Sequence, residues 1–158
     1  MTSTAVIPSP IGPLTLVARD GALVAVHFGA RPAGGPPSPV LDEAARQLTE
    51  YFAGERDTFD LPLAMPHDEF LSAVCQALAT IPYGKTVSYG EVTAALGLPR
   101  EEVRKVAAAI GRNPISIVIP CHRVIGADGS LVGFGGGLER KSHLLDLEAG
   151  QLRFELTG

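Results

Sequence analysis

The stretch VIPCHRVIG, residues 118–126, places a proline, a cysteine, a histidine and an arginine directly after the apolar run ISIVI (115–119). A cysteine is a nucleophile only as the thiolate, and an ordinary thiol, with a pKa of about 8.5, is mostly protonated at neutral pH. A base or cation must therefore assist it, and His122 and Arg123 adjoin it. Because adjacent side chains of an extended segment point to opposite faces, His122 reaches the thiol only if the chain turns after Pro120 or a water intervenes. A structural cysteine beside an incidental histidine is the alternative.

The composition is that of an ordinary globular protein, with 46% hydrophobic and 19% charged residues in a chain of 158. No apolar stretch approaches the roughly 20 residues that a membrane-spanning helix needs, and the N-terminus lacks a signal-peptide pattern. We therefore expect a cytoplasmic protein without membrane contact. Its two cysteines, Cys75 and Cys121, are predicted to be free thiols. The four histidines are scattered, so no metal site is predicted.

The first part of the chain has strand patterns. Residues 14–18 and 23–28 flank an Arg-Asp-Gly turn signal and predict a β-hairpin. The apolar positions of residues 40–52 follow helical spacing. Residues 59–63 are predicted to form a short strand or an extended connector. A domain boundary is expected near residues 65–67, where the pattern changes to helices.

The second part predicts several short helices. Asp68 is a candidate N-cap for the first, and the Ser-x-x-Glu sequence at residues 88–91 has the form of a capping box that opens the second. A third begins near Pro99 and ends at Gly111. The second and third helices, joined at residues 97–99, have the form of a helix-turn-helix, and an αα-hairpin that merely packs is the alternative.

The outward face of the third helix favours nucleic-acid binding. Arg100, Arg104 and Ala108 are spaced by four residues and share one side of the helix. A small residue lets the helix approach a surface closely, and a long cation projects from it. Residues 84–141 are also the basic part of a chain whose net charge is −4, with eight Lys and Arg against five Asp and Glu. This charge distribution is compatible with a polyanionic partner.

Two further segments have alternative interpretations. The glycine-rich residues 133–137 form either a mobile loop or a place where backbone N–H groups approach a ligand closely. A last helix, about 138–149, puts Glu148 in line with apolar positions, either at a solvated helix end or held for a partner. The apolar run 115–119 is predicted to be a strand buried on both faces. The helix side that carries Glu148 also includes Leu138, Lys141, Leu144 and Leu145.

Three groups of motifs resemble those of the O6-alkylguanine-DNA alkyltransferases of the bacterial stand-alone type. They are IPYGKTVSYGEV (81–92), GRNPI with IPCHRVIG (111–126), and GSLVGFGGGLERK with LLDLE (129–148). The match is strong over residues 78–150 and looser over residues 1–63. It implies an α/β (α+β) fold. An N-terminal ribonuclease-H-like domain (1–66) precedes a winged helix-turn-helix-like domain (67–158) that binds DNA and transfers the alkyl group.

The resemblance implies direct-reversal DNA repair. A damaged guanine is flipped out of double-stranded DNA, and its O6-alkyl group moves irreversibly to a cysteine of the protein, so each molecule acts once. Cys121 matches that nucleophile, His122 the histidine that relays its proton through a water, and Glu148 the carboxylate behind the histidine. Asn113 matches the residue that ties the recognition helix to the active-site strand. No cofactor is implied, a monomer is expected, and activity on O4-alkylthymine stays open.

The remaining site residues also follow from the resemblance. Tyr89 would assist nucleotide rotation, Arg104 would replace the flipped base in the stack, and Ala108 would let its helix enter the minor groove. Arg123 is the fourth residue expected to bind DNA. The substrate pocket is expected to comprise Val124, Phe134, Gly135 and Gly136. The chain departs from the family pattern in four places. Phe134 replaces a common tyrosine and Cys75 a usual tryptophan. The sequence HDEFL (67–71) replaces a more usual Gly-Thr-x-Phe-Gln, and Ile110 replaces a residue that is often Asn or Met.

Two other functions use parts of the same pattern. A non-enzymatic binder of damaged DNA would need no nucleophile, and Cys121 argues against it. A thiol hydrolase or protease would use Cys121 and His122 without DNA, but the sequence has no recognised oxyanion motif. The alkyltransferase interpretation accounts for all the motifs together.

Overall fold

The computed structural model describes residues 1–131 and 134–150. These residues form two compact units. The first comprises Met1–Met65 together with Pro114–Val118, and the second comprises Pro66–Asn113 and the described residues from Ile119 onward. The division of the sequence at residue 66 stays a proposal, and the assignment of residues 114–118 to the first unit has no signal in the sequence.

The first unit contains a three-stranded antiparallel sheet in the order β1-β2-β3. The strands are Thr2–Ile7, Leu14–Arg19 and Ala22–Phe28. Asp20 and Gly21 form the two-residue turn between β2 and β3, and both have positive φ angles, of 52° and 79°. Asp-Gly suits such a turn because both central residues must adopt the left-handed conformation. The predicted hairpin is confirmed, whereas β1 was not predicted.

One helix, α1 (Pro39–Phe52), packs against this sheet. The Ser38 side chain accepts a hydrogen bond from the backbone N–H of Leu41, and proline occupies the first turn, where its missing N–H costs nothing. The Tyr51 side chain is fully buried and its ring contacts those of Phe52 and Phe59. This helix confirms the prediction made from apolar spacing.

The prediction of a strand over residues 115–119 is wrong, although its burial is confirmed. Ile115 forms an isolated bridge with Val26, and Ile117 has a φ of 73°, outside the range of a strand. Ile115, Ile117 and Ile119 are all buried. An apolar run shows that a segment is buried, but periodicity alone does not specify its backbone conformation. Residues 59–63 behave as the predicted extended connector, with a bridge between Leu63 and Leu23.

The second unit contains four α-helices. The Asp68 side chain caps α2 by accepting from the Leu71 N–H, and Ser88 and Glu91 form the predicted capping box of α3. Gly97, with a φ of 73°, follows α3, and a 3-10 turn (Arg100–Glu102) leads into α4. Helices α2, α3 and α4 pack against each other. The α-helices of this unit are α2 (Glu69–Leu78), α3 (Tyr89–Ala95), α4 (Val103–Ile110) and α5 (Leu138–Glu148).

Two short parallel strands, β4 (Val87–Ser88) and β5 (Val124–Ile125), complete the second unit. They pair the residues just before α3 with those just after the Cys121 segment, and they were not predicted. The order and caps of the predicted helices are confirmed, but Leu138, expected on the inward side of α5, is 48% exposed. None of the helices in residues 1–131 and 134–150 is long and apolar enough to cross a membrane.

Candidate active site

Residues Cys121–Arg123 form a 3-10 turn between Pro120 and β5. The turn is closed by a hydrogen bond from the Arg123 N–H to the Pro120 carbonyl, 3.1 Å long. The chain therefore turns after Pro120. This turn is one of the two conditions under which the His122 side chain can act on the neighbouring Cys121 thiol. Cys121 is 7% exposed and His122 is completely buried.

Glu148, at the end of α5, lies at the centre of a buried ion cluster. Its Oε2 atom is 2.6 Å from Nε2 of His122, and its two carboxylate oxygens accept hydrogen bonds of 2.7 and 3.0 Å from Nε and Nη2 of Arg123. The remaining Arg123 nitrogen, Nη1, donates to the Ile81 carbonyl at 2.6 Å. The Glu148 side chain is 2% exposed. The carboxylate is therefore held by partners inside the unit, which decides between the two interpretations of its position.

The ion cluster sets the tautomer of His122. Burial lowers the pKa of His122, while the hydrogen bond and charge of Glu148 oppose that effect. We therefore take the imidazole as neutral at pH 7. An ionised carboxylate only accepts hydrogen bonds, so Nε2 carries the proton and donates it to Glu148. Nδ1 then has a free lone pair, and it has no hydrogen-bond partner among the residues that the structure describes.

The Cys121 thiol is held in its neutral form. Burial raises its pKa, whereas a hydrogen bond from the Asn113 side chain and the positive charge of Lys141 lower it. Nδ2 of Asn113 also donates to the Ile119 carbonyl at 2.8 Å, which fixes the amide against the segment that leads to Cys121. Since burial is the largest of these influences, the resting group is a thiol and its activation requires a base.

Lys141 is a functional candidate that the sequence interpretation missed. Its side chain is completely buried, and its Nζ lies 5.8 Å from the centre of the Tyr89 ring. Burial lowers the pKa of Lys141 and the proximity of Cys121 raises it. The available signal was its position on α5, three residues before Leu144 and seven before Glu148, on the buried side of the helix. A lysine is rarely placed there without a partner.

Arg123 is not placed where the resemblance implied. Its guanidinium is buried, bound to Glu148 and the Ile81 carbonyl, and 5.7 Å from the centre of the Tyr83 ring. Only 7% of this side chain is exposed, so its burial argues against the expected DNA contact and supports a role inside the ion cluster. Sequence adjacency to Cys121 gave no information about the direction of this side chain.

The other predicted residues lie on the surface or beside the turn. Arg104 and Ala108 are exposed on α4, while Val106, Ala109 and Ile110 of the same helix are buried. Tyr89 is half-buried at the start of α3. Of the expected pocket residues, Val124 and Gly136 are buried, Phe134 is half-buried and Gly135 is exposed. The glycine-rich segment begins at Gly133, which lies outside the described residues.

Family models match nearly the whole chain. The model of the 6-O-methylguanine DNA methyltransferase DNA binding domain matches residues 69–150, and that of the ribonuclease-like domain of the 6-O-methylguanine DNA methyltransferases matches residues 3–65. The chain is 46% identical to a methylated-DNA–protein-cysteine methyltransferase of Mycobacterium leprae, over 94% of this chain and 93% of the relative. It is 44% identical to one of Methanosarcina barkeri, over 94% and 98%.

Solved structures show the same similarity. The Mycobacterium tuberculosis O6-methylguanine methyltransferase superposes with a TM-score of 0.85 at 43% identity, over 96% of this chain and 94% of that one. The structure of Mycobacterium tuberculosis OGT in complex with DNA gives a TM-score of 0.83 at 46% identity, with 92% of each chain covered. The expected two-domain α/β fold is thereby confirmed.

We expect the free energy of unfolding to decrease as the pH falls from about 7 to about 5. Because burial lowers the pKa of His122 below its ordinary value of 6.5, the unfolded chain binds a proton at these pH values that the folded protein does not. The stability that neutral His122 contributes is present above pH 6.5 and is lost below it, with a slope approaching about 1.4 kcal/mol per pH unit. Urea unfolding at a series of pH values measures the slope.

Two variants show which histidine causes the dependence of the free energy of unfolding on pH. His122→Asn should flatten the slope strongly. His27→Asn should flatten it less, because His27 is only partly buried, although burial and the charge of Arg31 also lower its pKa. A His122→Asn variant with the wild-type slope would show that His122 is protonated in the folded protein.

Proposed function

The chain belongs to the 6-O-methylguanine DNA methyltransferase family, and we propose that Cys121 is the residue on which it stores the alkyl group. The protein is a methylated-DNA–protein-cysteine methyltransferase, which repairs DNA by moving an alkyl group from guanine to one of its own cysteines. The assignment to Cys121 rests on the ion cluster, because that cluster holds the buried imidazole of His122, the residue that follows Cys121. Cys75, the other thiol, is completely buried and desolvation raises its pKa to about 11.

The first step in the proposed mechanism is ionisation of the thiol. The Nδ1 lone pair of His122 accepts the Cys121 proton through a bridging water, and the positive charge that develops on the imidazole is stabilised by Glu148 at 2.6 Å. Arg123 donates a hydrogen bond to each carboxylate oxygen of Glu148. These two bonds stabilise the charged carboxylate and fix its orientation toward His122. The thiolate that forms is stabilised by the Asn113 hydrogen bond and the Lys141 charge.

The second step is displacement at the alkyl carbon. The Cys121 sulfur forms a bond to that carbon while the bond from carbon to guanine O6 breaks, and the electron pair of the broken bond passes to the guanine. The guanine takes up one proton, which balances the proton lost by the thiol, and the base is restored. The product on the protein is a thioether, from which no ordinary protein group displaces the alkyl carbon. Each molecule therefore acts once.

DNA is the partner of this chain, and we propose that α4 enters its minor groove. Arg104 and Ala108 share the exposed side of α4, while the apolar residues of the helix face inward. A small residue allows close approach, and the minor groove carries little sequence information, which suits a protein that must examine any sequence for damage. Arg104 fills the place of the flipped base, and Tyr89, at the start of α3, assists the rotation.

The flipped guanine is proposed to occupy a pocket formed by β5 and the segment before α5. Its lining comprises Val124, Phe134, Gly135 and Gly136. Gly135 is exposed, and a Cβ added to it would meet no atom of the described residues within 4 Å, so a ligand could approach its backbone. Phenylalanine at position 134 supplies an apolar ring without a phenol hydroxyl. The protein is proposed to act as a monomer, and a cytoplasmic location stays a prediction.

Incubation with excess duplex DNA carrying O6-methylguanine should add one methyl group to each protein molecule and no more. Intact mass spectrometry measures the uptake, and peptide mapping should locate it at Cys121. Cys121→Ser should abolish transfer and retain binding to the damaged duplex, because the hydroxyl has a far higher pKa than the thiol. Continued turnover, or modification mainly at Cys75, is incompatible with the proposal.

Glu148→Gln should slow methyl transfer by at least about tenfold, because general-base assistance is typically worth about 100-fold or more and the amide keeps only the shape of the carboxylate. Single-turnover kinetics measure the rate, and gel-shift binding to damaged duplex should be unchanged. Since breaking a buried ion pair costs about 3–5 kcal/mol, thermal unfolding must be followed and the kinetics run below the melting temperature of the variant. Asp146→Asn, on the same helix, is the control. A wild-type rate in Glu148→Gln would remove Glu148 from the mechanism.

Arg104→Ala should slow transfer from duplex DNA about tenfold more than transfer from free O6-benzylguanine. Extrusion of a base leaves a gap whose unstacking costs a few kcal/mol, and the free base needs no extrusion. Arg112→Ala removes another exposed cation, just beyond α4, and controls for the loss of charge alone. Equal losses on both substrates would mean that Arg104 is structural.

A further inference from the structure

The Asn113 carboxamide lies between the two thiols of the protein. Sγ of Cys75, on α2, donates a hydrogen bond to Oδ1 of Asn113 at 3.9 Å. At its other end, Nδ2 of Asn113 donates to the Ile119 carbonyl at 2.8 Å. The same side chain also hydrogen-bonds to Cys121. A continuous line of polar contacts therefore runs from α2 through Asn113 to the proposed nucleophile, inside the second unit.

We propose that Cys75 is a positioning residue that orients the Asn113 carboxamide and thereby promotes ionisation of Cys121. The inference rests on the proposed role of Cys121 and extends it to a residue on another helix. Cys75 touches neither DNA nor the reacting atoms, so its effect passes through Asn113.

The two ends of a carboxamide differ chemically, and the proposed orientation depends on that difference. The oxygen only accepts hydrogen bonds and the nitrogen only donates them. In the observed orientation, the nitrogen meets the Ile119 carbonyl and the oxygen meets the Cys75 S–H. A flipped amide would place its oxygen against the Ile119 carbonyl and against a Cys121 thiolate, which are both acceptors. A donor at Cys75 therefore favours the orientation that stabilises the thiolate.

The Cys75 thiol is suited to this role because it stays protonated. Desolvation and, to a smaller extent, the proximity of Cys121 raise its pKa to about 11. It therefore remains a donor over the physiological range and adds no negative charge beside the thiolate. Accepting a hydrogen bond at the oxygen also polarises the carboxamide, which strengthens its nitrogen as a donor.

Burial makes this weak donor effective. Cys75 is completely buried and Asn113 is 9% exposed, so solvent competes little for the contact. Water in a more open site would satisfy the carboxamide oxygen equally well and would remove the contribution of the Cys75 donor to the orientation. An S–H donor is weaker than N–H or O–H, so the expected effect lies toward the low end of the range for a neutral hydrogen bond.

The titratable and charged groups that influence Cys121 come from several elements. They are Cys75 on α2, Tyr89 on α3 and Lys141 on α5. Of the ion cluster, His122 and Arg123 follow Cys121 in the same turn, and Glu148 binds to both. Substitution of Cys75 by an uncharged residue leaves all the others in place. A change in the pH dependence of Cys121 in such a variant is therefore attributable to the contact with Asn113.

The test compares substitutions that keep or remove the donor in the full-length protein. Cys75→Ser keeps a donor, whereas Cys75→Ala and Cys75→Val remove it and Val retains more of the volume. The rate of Cys121 alkylation by iodoacetamide is followed against pH, with peptide mapping, alongside single-turnover methyl transfer from an O6-methylguanine duplex. Val74→Ala, a truncation at another buried position of α2, controls for lost packing.

We expect Cys75→Ala and Cys75→Val to raise the apparent pKa of Cys121 by roughly half a pH unit and to slow methyl transfer about two- to fivefold at pH 7. Cys75→Ser should resemble the wild type in both measurements, and Val74→Ala should lower the melting temperature without moving the pH profile. An unchanged pH profile in both donor-free variants, or an equal shift in Cys75→Ser, would overturn the proposal. If Cys75→Ala does not fold, the comparison of Ser with Val decides the question.

Failure of this inference is distinguishable from failure of the proposed function. If the wild-type protein does not accept a methyl group at Cys121, the proposed function fails. The iodoacetamide profile, which needs no DNA, still reports whether Cys75 affects the thiol of Cys121.

Discussion

The structure of the second unit depends on one buried carboxylate, that of Glu148, which is bound by Arg123 and His122. Glu148 accepts two hydrogen bonds from Arg123 and one from His122, and its side chain is almost completely removed from water. A buried carboxylate without such partners would be strongly destabilising. The pairing therefore ties the end of α5 to the turn at Cys121–Arg123, and through the Ile81 carbonyl to the segment that follows α2.

The same cluster gives the site its chemical asymmetry. One ring nitrogen of His122 is occupied by Glu148, and the other has no hydrogen-bond partner among the described residues, so it is left as a base. Burial opposes ionisation of both the thiol and the imidazole, because a low-dielectric environment disfavours charge on either group. Asn113, Lys141 and Glu148 act in the opposite direction. The site thus holds neutral reactants in surroundings that favour their charged forms once a proton moves.

Binding and chemistry are assigned to different surfaces of this unit. The exposed side of α4 carries Arg104 and Ala108, whereas the residues that we propose to activate the thiol are buried. This division explains why Arg123 is part of the ion cluster although it adjoins the nucleophile in sequence. All three nitrogens of this guanidinium bind Glu148 or the Ile81 carbonyl, and its side chain is only 7% exposed, so little of it is accessible to DNA.

The sequence by itself determined the order of the helices, the caps at Asp68 and Ser88, the β-hairpin and the family, because local hydrogen bonds and motif spacing specify these features. Through the resemblance it also suggested Cys121 as the nucleophile and His122 and Glu148 as its relay, which we retain as a proposal. Only the tertiary structure decided that residues 115–119 are buried without being a strand, that Arg123 points inward, and that Lys141 and Cys75 lie close enough to Cys121 to influence it. These properties depend on side-chain directions and on contacts between residues distant in sequence, such as Cys75 with Asn113. Periodicity and spacing along the chain do not encode them, because the electrostatic environment of a group is set by everything that surrounds it in space.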